Sequence, residues 1–140
     1  MRRSGGDLGR SAAGRVAGEA AWPPTALLPR FGVEWEAVDD RHLVARFRLD
    51  EVDLELHYGL DAQARIRVCW LDRWGDPDET GTEALHPFGA GTTAFGTFSG
   101  LTIPSAGRVG GHFRTDRWPE GVFFTYEITD LRLVTDGRRP

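Results

Sequence analysis

The chain has 140 residues, which fits one domain whose core is large enough to need no disulfide or metal. Hydrophobic residues make up 40% and charged residues 27%, as in ordinary globular domains, and the formal net charge is -4. The acidic balance argues against a nucleic-acid-binding protein. A single cysteine, Cys69, excludes an internal disulfide and is interpreted as a sheet residue.

The N-terminal residues do not have the pattern of a targeting signal. Residues 1–14 combine scattered glycines and arginines without periodicity, which predicts a disordered or mis-started segment. They lack the apolar run of a signal peptide, and no stretch of the chain approaches the ~20 apolar residues of a membrane span. The sequence therefore predicts a cytoplasmic protein, with one domain over 15–136 and a tail over 137–140.

A helical segment followed by a proline-rich one precedes the first strand. Residues 15–22 favour a short helix, which Pro23 and Pro24 end. The segment Trp22–Pro29 carries bulky apolar side chains fixed by three prolines, and it predicts a plug over one end of a β-sheet. In this interpretation Trp22 and Leu27 touch the apolar face of the sheet.

From Val33 onward the hydrophobic period changes to two, which is typical of strands. Apolar and polar residues alternate over about 32–38, 43–49, 52–58 and 64–70. No helix alternates with these strands, which excludes a parallel α/β sheet. The predicted fold class is mainly β: a curved antiparallel sheet, or half-barrel, with a short N-terminal helical plug.

Charge pairing predicts the register of the central strands. A two-residue turn at Asp50 and Glu51 places Leu49 opposite Val52. It also pairs Arg48 with Asp53, Phe47 with Leu54 and Arg46 with Glu55. The loop 59–63 then pairs Tyr58 with Ala64, Leu56 with Ile66 and Leu54 with Val68. One face becomes continuously apolar, and a one-residue slip would bury every arginine.

The second half of the chain is less regular. Residues 75–94 are rich in glycine and turn residues and predict a long, functional loop. Strands are predicted near 94–98, 101–103 and 108–115. The last strand is expected over 122–134, with a bulge at Thr129 and Asp130, where the apolar parity changes.

Two sets of motifs carry a family resemblance. One is Gly18–Trp22 leading into Pro24–Pro29, with Trp35 and the Asp39-Asp40 pair. The other comprises Phe95–Ser105, Gly110, Thr115–Trp118 and Gly121–Thr129. Together they span about 16–134, and the chain resembles the C-terminal part of an actinobacterial family of unknown function. That family is similar in fold to the half-barrel of lipoprotein carriers and lipid-binding proteins, which implies a cavity for acyl chains.

The polar residues form no recognisable metal or cofactor motif. The histidines at positions 42, 57, 86 and 112 lack helical ligand spacing, so no metal and no cofactor are predicted. Asp39, Asp40 and His42 form the strongest acid/base candidate, although a turn between two strands is the favoured explanation of the two aspartates. A hydrolase using this cluster, or His86 and His112 on loops, is the enzymatic hypothesis.

Aromatic residues instead suggest a pocket for an apolar partner, a small molecule or a lipid. Five tryptophans are more than a small core requires, although a filled core explains them too. A third hypothesis is pairing with another chain through an open strand edge. The predicted ligand-binding residues of the apolar face are Trp22, Leu27, Trp35, Phe47, Tyr58, Trp70, Phe124 and Tyr126.

Overall fold

The computed structural model describes residues 5–132, so the predicted tail over 137–140 lies outside the described residues. Two helices, α1 (Gly5–Glu19) and the single-turn α2 (Trp118–Gly121), accompany the strands. Two short 3-10 turns, Pro24–Leu27 and Pro29–Phe31, precede the first strand. The strands are β1 (Glu34–Asp39), β2 (His42–Leu49), β3 (Val52–Leu60), β4 (Ile66–Gly75), β5 (Ala84–Phe98), β6 (Leu101–Gly111) and β7 (Val122–Glu127).

The strands form one antiparallel sheet in which each strand pairs only with its neighbours in sequence. The sheet is curved and does not close, so β1 and β7 are its edges within the described residues. This confirms the predicted fold class. No helix within residues 5–132 has the length and apolar character that crossing a membrane requires.

The predicted pairing of β2 with β3 is confirmed. Leu49 pairs with Val52 and Arg46 pairs with Glu55, in the predicted register. Arg46 donates to Glu55 at 2.8 Å and also contacts Glu36 on β1, so three strands share one charge network. The opposite face is apolar, and we call it the inner face because it packs against α1.

The predicted pairing of β3 with β4 is wrong. Ile66 pairs with Leu60 instead of the predicted Leu56, and a bulge follows, because Gly59 pairs with Val68 and Arg67 is an extra residue in β4. The Arg67 guanidinium donates to the carbonyl of Thr92 at 2.6 Å, a contact with β5 that local alternation does not reveal. Beyond the bulge the faces are exchanged. Cys69 and Leu71 are buried on the inner face, and Trp70 lies on the outer face.

The predicted loop over 75–94 is largely a strand. β5 begins at Ala84 and includes the glycine-rich stretch, because Gly89 leaves room for the ring of Phe113. A Cβ at Gly89 would lie 2.5 Å from that ring. The strands predicted at 101–103 and 108–115 are the single strand β6. β7 ends at Glu127, before the predicted bulge at 129–130, and residues 133–134 lie outside the described residues.

Helix α1 is longer than predicted. It covers residues 5–14, where the sequence predicted no regular structure, and residues 1–4 lie outside the described residues. Ala13, Gly14 and Ala17 are buried on one stripe of the helix against β3 and β4. Because most helical stability in proteins comes from packing of one face, the poor intrinsic propensity of the glycines does not decide the outcome.

The plug contacts the apolar face as predicted. Leu27 is 6% exposed and belongs to the core cluster. Its carbonyl accepts a hydrogen bond from the indole of Trp35 at 3.0 Å, which ties the plug to β1. Trp22 meets Tyr126 of β7 edge to face, with ring centroids 5.0 Å apart. The plug therefore touches both ends of the sheet.

Candidate functional site

The inner face of the sheet has two parts that differ in their cover. Helix α1 packs mainly over β3 and β4. We call the inner face of β1–β4 the covered half and the inner face of β5–β7 the open half. Beside α1, where the open half begins, lies a pocket of about 230 Å³, which we call the apolar pocket. Its wall includes Trp22, Cys69, Phe88, Val109, Phe124 and Tyr126.

Glycine shapes the floor of the apolar pocket. Gly107 of β6 pairs with both Tyr126 and Thr92, and a Cβ there would lie 2.8 Å from the tyrosine hydroxyl. The Tyr126 ring therefore lies across β6 toward β5. Burial raises the pKa of Tyr126, so its hydroxyl keeps its proton at neutral pH. The floor is thus an aromatic surface with one neutral polar atom.

Cys69 contributes a neutral thiol to the same pocket. Its side chain is 4% exposed, and burial raises the pKa of the thiol to about 12. Because the thiolate is the reactive form, this cysteine is a packing group at neutral pH. The sequence interpretation of Cys69 as a sheet residue agrees with this position.

The rim of the apolar pocket combines one ion pair with two aromatic rings. Arg15 and Glu19 of α1 form an exposed pair at 3.1 Å. Phe123 and Phe124 of β7 are 63% and 38% exposed, and their rings lie 5.2 Å apart. Large exposed aromatics at the mouth of an apolar pocket are typical of a binding surface.

A second pocket, which we call the polar pocket, adjoins the first. It measures about 450 Å³ and shares Arg73, Phe88 and Phe123 with the apolar pocket. The polar pocket lies where α1, the end of β4 and the 76–81 loop meet. Its lining also includes Trp74, Asp78, His86, His112 and Arg117.

Asp78 organises one side of the polar pocket. It accepts hydrogen bonds from the Arg117 guanidinium at 2.6 and 3.2 Å, and the Nε2 atom of His112 lies 3.3 Å from it. The bonds from Arg117 lower the pKa of Asp78, so its charge is compensated. Asp76 accepts from the backbone of Thr80, which folds the 76–81 loop back on itself. The aspartates therefore hold the wall of the pocket.

Two polar atoms in this lining have no partner. The indole Nε1 of Trp74 and the Nε2 of His86 are buried and make no hydrogen bond to any described residue. A buried polar group without a partner costs about 1–3 kcal/mol, so native proteins rarely leave one. A bound group that offers a hydrogen-bonding oxygen would therefore be stabilised at either atom.

The predicted ligand-binding residues fall into three places. Trp22, Phe124 and Tyr126 line the apolar pocket. In the covered half Tyr58 is 2% exposed, its ring lies 5.7 Å from that of Trp35, and its hydroxyl has no partner among the described residues. Two further predicted residues belong to this half: Leu27 is part of the core, and Phe47 packs against it.

Trp70 belongs to a separate cluster on the outer face. Its indole stacks on His57 at 5.0 Å with an interplanar angle of 7°. His57 in turn shares a hydrogen bond of 2.9 Å with His42. Burial lowers the pKa of His57, which favours its neutral imidazole form. The prediction that Trp70 faces the same side as Tyr58 is corrected by the bulge at Arg67.

The predicted acid/base residues do not form one cluster. The carboxylate of Asp39 accepts from the backbone N–H of Arg41 at 2.7 Å, which is the role of a turn residue. Asp40 is exposed, and His42 joins the outer-face cluster instead. His86 and His112, which were predicted on loops, do meet in the lining of the polar pocket, and His86 lies in β5.

Among residues 5–132, no three histidine, cysteine or acidic side chains converge as a metal site. A family model with the description "Family of unknown function (DUF6544)" matches residues 1–123. The chain belongs to that family. The match includes the helix, the plug and β1–β6, and it ends inside β7 of this DUF6544 protein. Searches of curated proteins and of solved structures found no match.

Proposed function

We propose that the protein is a non-enzymatic binding domain that holds a small apolar ligand in the apolar pocket. The observation that carries the proposal is the apolar pocket between α1 and the open half. There Phe88, Val109 and Tyr126 form an apolar wall beside Gly18 of α1, and two exposed phenylalanines stand at its rim. Burial of apolar surface, at ~25 cal/mol per Å², supplies the binding energy.

The size of the pocket limits the ligand. Its volume of about 230 Å³ lies below the ~300–1,000 Å³ that is common for pockets of drug-sized molecules. A single chain or a compact aromatic molecule therefore fits, and a bulky lipid does not. The resemblance to lipid-binding half-barrels supports a single acyl chain as the natural occupant.

A matched pair of variants on one helix tests the proposal. Gly18 lines the apolar pocket, and a Cβ there would meet only Phe88, at 3.6 Å. Gly9 lies on the same helix with nothing within 4 Å of a built Cβ. Leucine favours helix over glycine at both positions, so neither variant loses helix propensity. Gly18→Leu places its side chain in the pocket, and Gly9→Leu does not.

The probe is N-phenyl-1-naphthylamine, a neutral apolar dye, and the measurement is its fluorescence titration. We expect saturable binding to the wild type and to Gly9→Leu, and a loss of affinity of about tenfold or more in Gly18→Leu. Thermal unfolding confirms that both variants are folded. Equal affinity in all three proteins, or no binding to the wild type, would refute the proposal.

A further inference from the structure

We infer that the two adjoining pockets form one site for an amphiphile: the apolar pocket takes the chain, and the polar pocket takes a head group that bears hydrogen-bond-accepting oxygens. This inference rests on the proposed function and adds the chemistry of the head group. It starts from the shared wall, since Arg73, Phe88 and Phe123 line both pockets. The two pockets are therefore adjacent, which places the head group of such a ligand beside its chain.

The unpartnered atoms define what the head group must offer. The indole N–H of Trp74 can only donate a hydrogen bond, so its partner must be an acceptor. The Nε2 atom of His86 donates or accepts according to its tautomer, so it suits an oxygen of either kind. A hydroxyl, a carbonyl or a carboxylate offers the oxygen that either atom can bind, and a methyl-terminated chain offers none.

The charges of the lining limit the charge of the head group. Two arginines, Arg73 and Arg117, line the polar pocket with three carboxylates, Asp76, Asp78 and Glu120. Asp78 already engages Arg117 at 2.6 Å, so that guanidinium is not an open anion site. Arg73 donates to Ser11 of α1 and lies over the ring of Phe88. The site therefore favours a neutral or singly charged head over a doubly charged phosphate.

Displacement of N-phenyl-1-naphthylamine by three eight-carbon amphiphiles tests the inference. 1-Octanol, octanoate and octyl phosphate have the same chain and differ only in the head. We expect octanol and octanoate to displace the dye from the wild type at about tenfold lower concentration than octyl phosphate. Tighter binding of octyl phosphate would overturn the inferred head-group chemistry.

Variants of the two unpartnered groups locate the head. Trp74→Phe and His86→Phe each remove one hydrogen-bonding atom and keep an aromatic ring. Each is expected to weaken octanol about threefold to tenfold, the range for one hydrogen bond, while the dye binds as before. Trp118→Phe is the matched control, because Trp118 lines neither pocket.

The outcomes separate the two proposals. Loss of dye binding in Gly18→Leu with unchanged octanol affinity in Trp74→Phe and His86→Phe keeps the apolar pocket and overturns the amphiphile site. That result would mean that ordered water alone satisfies the two polar atoms. If the dye binds neither the wild type nor any variant, the proposed function itself is wrong. Weaker octanol binding in Trp74→Phe and His86→Phe, with unchanged dye affinity, supports both proposals.

Discussion

Both halves of the inner face are apolar, but they differ in how completely α1 and the plug cover them. In the covered half Ala45, Leu56 and Leu71 are at most 1% exposed, because α1 and the plug close over them. In the open half the outermost aromatics, Phe123 and Phe124, stay in contact with solvent. One sheet therefore carries a filled core at one end and a pocket at the other. A helix that spans only part of a sheet leaves the rest of that face to line a pocket.

The plug makes this division possible. It is fixed to the covered half through the carbonyl of Leu27 and the indole of Trp35, and Trp22 contacts the open half. Both hypotheses about the aromatic residues thus apply, each to a different end of the sheet. The filled core explains Tyr58 and Phe47, and the pocket accounts for the position of Tyr126.

The largest expected effect is in the covered half. Leu56 is 0% exposed, so Leu56→Ala should lower the free energy of unfolding by about 2–5 kcal/mol, as buried leucine truncations do. Phe123→Ala in the open half removes a larger side chain that is 63% exposed, and it should cost less than about 0.5 kcal/mol. Urea unfolding measures both values. Similar costs would show that the halves do not differ in packing.

A smaller effect is expected at the floor of the apolar pocket. A Cβ at Gly107 would lie 2.6 Å from the carbonyl of Gly91 and 2.8 Å from Tyr126, so Gly107→Ala should cost about 1–3 kcal/mol. Gly91→Ala on the neighbouring strand meets nothing within 4 Å and is the control, with a small or slightly stabilising effect. Equal unfolding midpoints for the two variants would contradict the close approach of Tyr126 to β6.

The smallest effect concerns the charges that hold the polar pocket. Arg117 lowers the pKa of Asp78, so the contribution of this carboxylate to stability is present above its unfolded pKa, near ~3.9. That contribution is lost as the pH falls below ~3.9 and through the folded pKa. Asp78→Asn should therefore unfold at a lower temperature than the wild type at pH 6, with a difference that shrinks toward pH 3.

Thermal unfolding from pH 6 to pH 3 measures this difference. Asp53→Asn, which removes an exposed carboxylate beside the covered half, is the control for a general loss of charge. Added salt should also reduce the effect of Asp78→Asn, because the pair with Arg117 is solvent-accessible. A difference that stays constant down to pH 3 would show that the pair of Asp78 and Arg117 does not stabilise the fold through its charge.

Local pattern predicted those parts of the fold in which neighbours in sequence decide the structure. The β2–β3 register followed from a two-residue turn and from opposite charges such as Arg46 and Glu55. The bulge at Arg67 did not follow, because its guanidinium binds a carbonyl 25 residues away. β5 was not predicted for the same reason, because Gly89 leaves room for the ring of Phe113, which lies on a different segment of the chain.

The candidate site was predictable to a similar extent. Alternation predicted Phe124 and Tyr126 on the apolar face, and the proline-rich plug placed Trp22 against it; all three line the apolar pocket. The polar pocket was missed because its residues come from a segment interpreted as a loop and from a turn after β6. Asp78 and Trp74 gain their position only from contacts with distant residues, so no local pattern indicates them.

The strictly sequential strand order has a consequence for how the chain folds. Every strand pair joins neighbours, and β2 and β3 are connected by only two residues, so the sheet can grow hairpin by hairpin with little loss of chain entropy. Helix α1 is different, because its contact between Ser11 and Arg73 spans 62 residues. The helix has no complete docking surface until β4 is paired. Although α1 precedes every strand in the chain, it is therefore among the last elements to dock.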